Sequence, residues 1–437
     1  MSTIDLSPYR NRIQEMDPMR PYGKVADVVG LTLRATGPRM TVGDLCYIRR
    51  DDGSEIPVEV VGFRGRHILL MPLGDMRGIA PGNLLIPTHR PRMLRVGAAL
   101  LGRTVDAMGQ PIDGGPTPPA EAEVPLLNAP PPPMTRQRIL EPIATGIRAI
   151  DGCVTCGRGQ RMGVLSGSGV GKSKLVGMIA RNTSADVTVI ALVGERGREV
   201  REFIEGDLGE DGLSRSVVVV ATSDEPALLR ISAAYAATAI AEWFREQGAD
   251  VMLVMDSVTR FAMAQREVGL AIGEPPTTKG YPPSVFSLLP KLLERAGMSD
   301  RGSITGFYAV LVEGDDLQDP VGDAVRSILD GHVALSRDLA GRGHYPPVDV
   351  LDSVSRSMNE VTGESHRELS IRIRQLLAAH RDTEDLINIG AYVAGSNPEV
   401  DTALRVKPAI DAFLRQGLQE HSDFGEIEAR MKRALRG

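Results

Sequence analysis

The stretch SGSGVGKSKL, residues 166–175, decides how this chain folds. It follows the apolar run MGVL and precedes VGMIARNT, so it lies between a strand-like and a helix-like segment, the setting that a phosphate loop requires. The pattern G-x-x-x-x-G-K-[ST] is complete except at its first position, where Ser166 supplies the small side chain that the end of the strand needs. Glycines let the backbone curl its N–H groups towards a phosphate, and the helix N-terminus adds partial positive charge. We therefore predict a nucleotide phosphate site rather than a structural glycine turn.

The phosphate-loop pattern gives individual residues a chemical role. Lys172 would reach the β- and γ-phosphates of a nucleoside triphosphate, and the Ser173 hydroxyl would ligate Mg²⁺. The expected ligands are therefore ATP and Mg²⁺. The residues expected to hold the nucleotide phosphates are Gly167, Ser168, Gly169, Val170, Gly171, Lys172 and Ser173.

Two acidic residues follow other strand-like runs and are candidates for the same site. Asp256 ends VMLVMD, residues 251–256, and an acid at the end of an apolar strand is typical of a Walker B strand that holds Mg²⁺-bound water. Glu195 lies in GERGREV, directly after the run VTVIALV. A carboxylate at the tip of a neighbouring strand can face the γ-phosphate, so Glu195 is the candidate for polarising the attacking water. On spacing alone, a solvated surface acid is the alternative for Glu195.

The composition is that of an ordinary globular protein, and the length is enough for several domains. The chain has 437 residues, of which 42% are hydrophobic and 24% charged, and no apolar run approaches the roughly 18 residues that a membrane-spanning helix needs. The net charge of −6 argues against a constitutive nucleic-acid binder, so we expect no nucleic-acid partner. The three cysteines suit a reducing cytosol. Cys153 and Cys156 resemble half a zinc site, but no second ligand pair has a suitable spacing, so we expect them to pack in the core.

The sequence changes character along its length, which predicts several domains. Residues 21–95 form short strand-like segments between turns, which is typical of a small barrel or sandwich. Residues 96–356 alternate unbroken β-branched runs with helical segments, which predicts a parallel sheet covered on both faces. Within them the Pro- and Gly-rich segment 102–134 should wrap the surface in extended form. Residues 357–437 have helical patterns, and residues 1–20 are a candidate segment for binding a partner.

Longer phrases make the chain resemble a known superfamily. GERGREV, DSVTRFAMAQREVGLAIGEPPTTKGYPPSVFSLLPKLLERAG and YPPVDVLDSVSR resemble the rotary ATP synthase α/β superfamily. Within it the chain is most similar to the flagellar and type III secretion export ATPases, through phrases such as VVGFRGRHILLMPL, EGDDLQDPVGDAVRSILDGHVALSR and INIGAYVAGSNPEVD. An acidic DELSEED-type motif like that of the synthase catalytic subunit is missing from the sequence, which favours the export branch. The resemblance implies an α/β fold with a RecA-like P-loop core and parallel sheet, preceded by a small N-terminal β-barrel and followed by a C-terminal helical domain.

The resemblance also implies roles for further residues. Arg196 and Glu199 would lie near the site and orient water or phosphate. Arg356, at the end of SVSR, would be an arginine finger that acts on the neighbouring subunit's nucleotide, with a surface ion pair as the alternative. Tyr345 would stack on adenine, with a core-packing ring as the alternative. The implied catalytic residues are Glu195, Lys172, Arg356 and Arg196, and the implied metal ligands are Ser173, Asp256 and Glu199.

As a whole, the resemblance implies a homohexameric, Mg²⁺-dependent ATPase that energises type III protein export, with flagellar export favoured. It implies a cytoplasmic protein associated peripherally with the export apparatus of the inner membrane. The implied partners are a stator-like regulator at the N-terminal segment, a central stalk protein and chaperone–cargo complexes at the C-terminal domain, and the export gate.

Other functions share parts of this pattern. The catalytic subunit of a rotary synthase shares the cleft residues, and a virulence-type secretion ATPase shares the whole pattern. An RNA translocase is disfavoured by the acidic composition. A non-catalytic nucleotide-binding subunit is disfavoured by Glu195. Lys174 departs from the superfamily, which more often has an apolar residue there, and we expect its side chain to point to solvent.

Overall fold

The computed structural model describes residues 21–312 and 319–436. The N-terminal segment 1–20, the candidate for partner binding, lies outside the described residues. The chain divides into two units, Met1–Arg92 and Met93–Gly437. A separate cluster of buried apolar side chains lies in each of them.

Six strands form the described part of the first unit, residues 21–92. They are β1 Gly23–Val29, β2 Thr32–Thr36, β3 Asp44–Arg49, β4 Glu55–Arg64, β5 His67–Pro72 and β6 Leu84–Pro91. They close into a barrel in the order β1-β2-β5-β4-β3-β6. Successive side chains of a strand point to opposite faces, so β3 turns Cys46 and Ile48 into the barrel core, where both are buried. The predicted barrel is confirmed, and the sandwich alternative is wrong.

The second unit is built on a large sheet. The strands of the second unit, in chain order, are β7 Met93–Val96, β8 Arg103–Asp106, β9 Ala122–Pro125, β10 Arg161–Ser166, β11 Val187–Glu195, β12 Ser216–Thr222, β13 Asp250–Asp256, β14 Gly297–Met298, β15 Ser303–Leu311, β16 Gly331–Leu335 and β17 Val348–Ser355. The order of the sheet is β17-β16-β10-β15-β13-β11-β12-β8, with β14 paired to β15. Only β17 and β14 pair antiparallel with their neighbours in this described sheet. The central strands are buried almost throughout, because their continuous apolar runs are covered on both faces.

Helices cover this sheet and form the C-terminal region. They are α1 Arg148–Cys153, α2 Lys172–Asn182, α3 Gly197–Glu202, α4 Gly209–Ser214, α5 Ala227–Glu246, α6 Val258–Ile272, α7 Pro283–Leu293, α8 Pro320–Ile328, α9 Arg337–Gly341, α10 Met358–Val361, α11 Glu364–Asn388, α12 Pro398–Leu414 and α13 Ile427–Arg436. A π-helical turn, Phe203–Leu208, lies between α3 and α4, and 3₁₀ turns occur at Ala98–Leu100, Pro133–Thr135, Thr278–Gly280 and Phe424–Glu426. Across the part of the chain that the structure describes, no helix combines the length and apolarity needed to cross a bilayer.

The Pro- and Gly-rich segment 102–134 does more than wrap the surface. Its first strand, β8, pairs in parallel with β12 and forms the edge of the large sheet. Its second strand, β9, pairs with β7 in a separate two-stranded sheet. Edge positions suit such a segment, because a proline that cannot donate a hydrogen bond is tolerated there.

The C-terminal helices pack directly against α1. Buried side chains of α11, α12 and α13 belong to the same apolar cluster as Cys153 and Cys156. The approach is close at Gly152, where an added Cβ would lie 2.9 Å from the ring of Phe413. The predicted helical C-terminal region is confirmed, and both cysteines of the Cys-x-x-Cys pair are buried.

The arrangement of the parallel strands places the site. Since β10, β15, β13 and β11 are consecutive neighbours, their carboxyl ends meet at one edge of the sheet. The phosphate loop leaves β10, Glu195 ends β11 and Asp256 ends β13. In open α/β sheets, ligands bind in the crevice outside these ends.

Candidate nucleotide site

The phosphate loop connects β10 to α2 in the strand–loop–helix arrangement that the sequence predicts. Gly169 and Gly171 have φ angles of 76° and 104°, a left-handed conformation that costs glycine little. The Val170 side chain is buried below the loop, whereas Ser168 is exposed. The loop is therefore anchored on the protein side while its outer surface faces solvent.

Lys172 meets both predicted carboxylates at the edge of the sheet. Its Nζ donates a hydrogen bond to Asp256 Oδ1 and lies 3.8 Å from Glu195 Oε1. The side chains of Lys172, Glu195 and Asp256 are only 9%, 16% and 2% exposed. A buried charge is costly unless it is paired, so the two carboxylates hold the ammonium group in place. The surface-acid alternative for Glu195 is therefore wrong.

Glu195 has the surroundings of a base that works near neutral pH. Burial raises the pKa of Glu195 to about 7, and the Asp256 carboxylate raises it as well, while Lys172 and Arg260 act in the opposite direction. Glu195 Oε1 is buried and has no hydrogen-bond partner among the described residues. A carboxylate oxygen with unused lone pairs can accept a hydrogen bond, and then a proton, from a water molecule beside it.

The oxygen-bearing side chains expected to ligate metal line one cavity beside the loop. Ser173, Glu199 and Asp256 contribute to its wall, and its volume is about 180 Å³. Mg²⁺ takes oxygen ligands and is usually held by one or two carboxylates together with substrate phosphates rather than by a closed protein cage. One hydroxyl and two carboxylates fit that description. In residues 21–312 and 319–436, no group of three or more His, Cys, Asp or Glu side chains forms a metal cage.

Arg196 is not among the residues that line this cavity. Its side chain is 75% exposed, and its Nη1 lies 3.4 Å from Glu199 Oε1. The two residues thus form an ion pair across the start of α3. The structure brings Glu199 to the buried group of Lys172, Glu195 and Asp256 but leaves Arg196 at the surface.

Arg260 belongs to the site and was missed by the sequence reasoning. It lies in the first turn of α6, so close to β11 that a Cβ added to Gly194 would lie 3.0 Å from Arg260 Cβ. The charge of Arg260 lowers the pKa of Glu195. Arg260 Nε is buried without a hydrogen-bond partner among the described residues. The available indication was its position four residues after Asp256, in the helix that leaves the same edge of the sheet.

Tyr345 lies against the phosphate loop. A Cβ added to Gly171 would be 3.7 Å from Tyr345 Cε1. The ring is 50% exposed, which does not fit the core-packing alternative. The Tyr345 carbonyl accepts a hydrogen bond of 2.8 Å from the backbone N–H of Gln416. An exposed ring held in this way beside the loop can stack on a nucleotide base.

Arg356 is the one candidate that lies away from the others. It follows β17, which runs antiparallel to β16 and pairs its last residue, Ser355, with the first residue of β16, Gly331. The backbone N–H of Arg356 bonds to the Asp330 carbonyl, and Asp330 also accepts from the N–H of Arg161, the first residue of β10. Arg356 therefore lies at the amino-terminal edge of the sheet, one strand length of about 17 Å from the phosphate loop. Its side chain is exposed.

A glycine-rich loop on a parallel sheet, with a lysine and two buried carboxylates at the strand ends, defines a P-loop nucleotide-binding protein. Comparison with known families agrees. The ATP synthase alpha/beta family, nucleotide-binding domain, matches residues 146–355, and the T3SS EscN ATPase C-terminal domain matches residues 362–433. The chain belongs to the family of flagellum-specific ATP synthases and type 3 secretion system ATPases.

Individual relatives match over nearly the whole chain. The flagellum-specific ATP synthase of Bacillus subtilis is 53% identical over 93% of this chain and 94% of that protein. The type 3 secretion system ATPase of Xanthomonas euvesicatoria is 50% identical over 93% of this chain and 92% of that protein. The solved structure of the assembled ATPase EscN, from the type III secretion system of enteropathogenic E. coli, has a TM-score of 0.90 at 44% identity and covers 94% of this chain and 100% of that chain. A second structure, of assembled EscN in complex with its central stalk EscO, has a TM-score of 0.88 at 43% identity and covers the same shares of the two chains.

Proposed function

We propose that this chain hydrolyses Mg-ATP at sites shared between identical protomers of a ring, and that hydrolysis energises type III protein export. The observation that carries the proposal is the separation of the candidate residues within one protomer. Lys172, Glu195 and Asp256 gather at the carboxyl edge of the sheet, whereas Arg356 lies exposed at the opposite edge. A site that needs both groups can be completed only by a neighbour. The assembled state of the relative EscN supports such a ring, for which we propose six protomers.

Catalysis would consist of positioning and charge neutralisation. The loop N–H groups and Lys172 hold the triphosphate, and Lys172 exchanges its contact with Asp256 for one with the phosphates. Ser173, Asp256 and Glu199 would hold Mg²⁺ and its water ligands. When bound, Mg²⁺ would supply positive charge against the negative charge that develops on the phosphates.

The water molecule is the nucleophile, and Glu195 aligns it. Glu195 Oε1 accepts the hydrogen bond and then the proton as water attacks the γ-phosphorus, while the bond to the β-phosphate oxygen breaks. Arg356 of the next protomer stabilises the negative charge on the transferred group, a contribution of about 10³–10⁵ in rate for an arginine finger. Arg196, paired with Glu199, orients water or phosphate, and Tyr345 stacks on the adenine.

The proposed partners follow the division of the chain. By analogy with EscN and its central stalk EscO, we propose that the C-terminal helices meet a stalk protein and chaperone–cargo complexes. The segment 1–20 would bind a stator-like regulator, and the ring would act in the cytoplasm beside an export gate at the inner membrane. The rotary synthase catalytic subunit shares the cleft residues, but the match of residues 362–433 to an export-type C-terminal domain favours export.

Complementation between two inactive variants tests the shared site. Lys172→Ala removes one half of the site, and Arg356→Ala removes the other half. In rings assembled from equal amounts of the two variants, one interface in four pairs an intact Lys172 with an intact Arg356, so roughly a quarter of the wild-type rate should return. Each variant alone, at the same total concentration, is the control. Co-assembled rings without activity would overturn the proposal.

A further inference from the structure

Lys174 is held in ion pairs instead of extending freely into solvent as expected. It lies in the first turn of α2, next to Ser173, and its side chain is 42% exposed. Its Nζ donates a hydrogen bond of 2.8 Å to Asp207 Oδ1 and lies 3.6 Å from Glu202 Oε1. The Asp207 side chain is only 10% exposed. The expectation was wrong because the chain after β11 folds back over this face of α2 and brings a carboxylate to it.

The contact between α2 and Asp207 extends beyond one ion pair. A Cβ added to Gly177 would lie 2.6 Å from Asp207 Cβ, so the two backbones approach as closely as glycine allows. Arg181 Nη1 donates a hydrogen bond of 2.6 Å to the Asp207 carbonyl. Lys174, Gly177 and Arg181 follow one another at helical spacing and therefore share one face of α2. Asp207 therefore contacts α2 in three ways: its carboxylate pairs with Lys174, its Cβ packs against Gly177 and its carbonyl accepts from Arg181.

The residues on the other side of the contact carry the proposed chemistry. We call residues 195–208 the Glu195 segment, because it begins at Glu195 and includes Glu199. It consists of the end of β11, α3 and the π-helical turn that contains Asp207. The cavity between this segment and α2 is lined by five carboxylates, those of Glu195, Glu199, Glu202, Asp207 and Asp256. Like charges this close together repel; Lys172 offsets those of Glu195 and Asp256, and Lys174 offsets those of Glu202 and Asp207.

We propose that Lys174 is a positioning residue for ATP hydrolysis, which fixes the Glu195 segment against the phosphate-loop helix through Asp207. The pair ties the position of Glu195 and Glu199 to that of Ser173, which is adjacent to Lys174 in the sequence. Lys174 itself acts through Asp207 and not on the substrate. This inference rests on the proposed function, since it concerns the placement of the proposed catalytic carboxylate.

Two variants distinguish this contact from a purely electrostatic role of the Lys174 charge. If only its charge mattered, Lys174→Met and Asp207→Asn would change activity in opposite directions, because one removes a positive charge and the other a negative charge. If the contact matters, both variants lower activity, and the double variant is no worse than either single variant. Lys174→Arg keeps a cation that can reach Asp207 and should restore much of the activity.

The test measures turnover and segment mobility on fully assembled protein. We expect Lys174→Met and Asp207→Asn each to lower kcat about tenfold with little change in KM, because misplacement of the carboxylate affects the chemical step more than phosphate binding. In the nucleotide-free protein both variants should also raise amide hydrogen exchange of residues 197–208. Arg201→Met is the matched control, because it breaks an ion pair of the same segment with Glu205 whose side chains are 81% and 63% exposed. It should leave both readouts unchanged.

Each outcome supports or overturns the inference. Opposite changes in kcat for Lys174→Met and Asp207→Asn, additive effects in the double variant, or unchanged hydrogen exchange would overturn it. The proposed function is judged separately by Glu195→Gln in the same assay. An inactive Glu195→Gln beside fully active Lys174 and Asp207 variants would refute the inference alone, whereas an active Glu195→Gln would refute the proposed mechanism.

Discussion

At the scale of single residues, the site is organised by one buried cation shared between two carboxylates. Lys172 is held by Asp256 and lies 3.8 Å from Glu195, so the residues proposed to bind phosphate, hold Mg²⁺ waters and align the nucleophile are already assembled. Such preorganisation avoids reorganisation during the reaction. The sequence could identify all three residues, because each ends a strand or begins the helix after it. It could not identify Arg260, because its role depends on the close approach of α6 to Gly194.

Replacing Glu195 separates binding from chemistry. Glu195→Gln keeps the shape of the side chain but removes the proton acceptor, so turnover should fall about 10²–10⁴-fold while nucleotide affinity stays within a few-fold of wild type. Steady-state ATP hydrolysis and the binding of a fluorescent ATP analogue measure the two effects. Glu205→Gln is a suitable control, since the Glu205 side chain is 63% exposed on the same segment. Normal turnover in the Glu195→Gln variant would remove Glu195 from the mechanism.

At the scale of elements, the unbroken β-branched runs predict the strands of the parallel sheet well, whereas the helical patterns predict the irregular pieces poorly. The pattern REVREFIEGDL predicts one helix, but the structure has α3, a π-helical turn and then α4, which begins at Gly209 with a φ of 69°. Conversely, the patterns ESHRELSIRIRQLLAAH and DTEDLINIGAYV predict two helices, whereas residues 364–388 form the single helix α11 and the remaining IGAYV lies beyond its end. Helical periodicity in a sequence indicates which face of a helix is apolar, but it does not indicate where contacts with another element interrupt the helix. The Asp207 contact with α2 is such an interruption.

Gln416 connects the end of α12 to the nucleotide-binding part of the chain. Its side chain accepts from the N–H of Arg148 at 2.9 Å and donates to the Gly146 carbonyl at 2.7 Å, and it is buried. Gln416→Ala leaves these two backbone groups unpaired, so the free energy of unfolding should fall by about 1–3 kcal/mol. Denaturant unfolding of the full chain measures this loss. Gln419→Ala, at an exposed position of the same loop, should change stability little, and equal losses in both variants would contradict the assigned role.

At the scale of the whole molecule, the sequence predicted the barrel, the parallel-sheet core and the helical C-terminal region in the right order. The resemblance implied that Arg356 serves a neighbouring subunit, but the residue patterns alone could not show which candidate residues share one protomer's site. That depends on the direction of β17. An antiparallel β17 carries Arg356 away from the phosphate loop, whereas a parallel one would have carried it to the same edge. One strand reversal thus decides whether the proposed site is complete in a single chain.

The proposed dependence on a neighbour makes activity a function of protein concentration. A protomer without a neighbour lacks Arg356 in its site, so its turnover should be lower by about 10³–10⁵ than that of the assembled ring. Specific activity at saturating ATP should therefore rise steeply as protein concentration passes through the range of assembly and then level off. The measurement pairs ATP hydrolysis with the sedimentation state at each concentration. Arg356→Ala is the control, because its low activity should not change as the ring forms. If wild-type protein kept its full specific activity when diluted to monomers, each protomer would contain a complete site, and Arg356 would have no part in its neighbour's reaction.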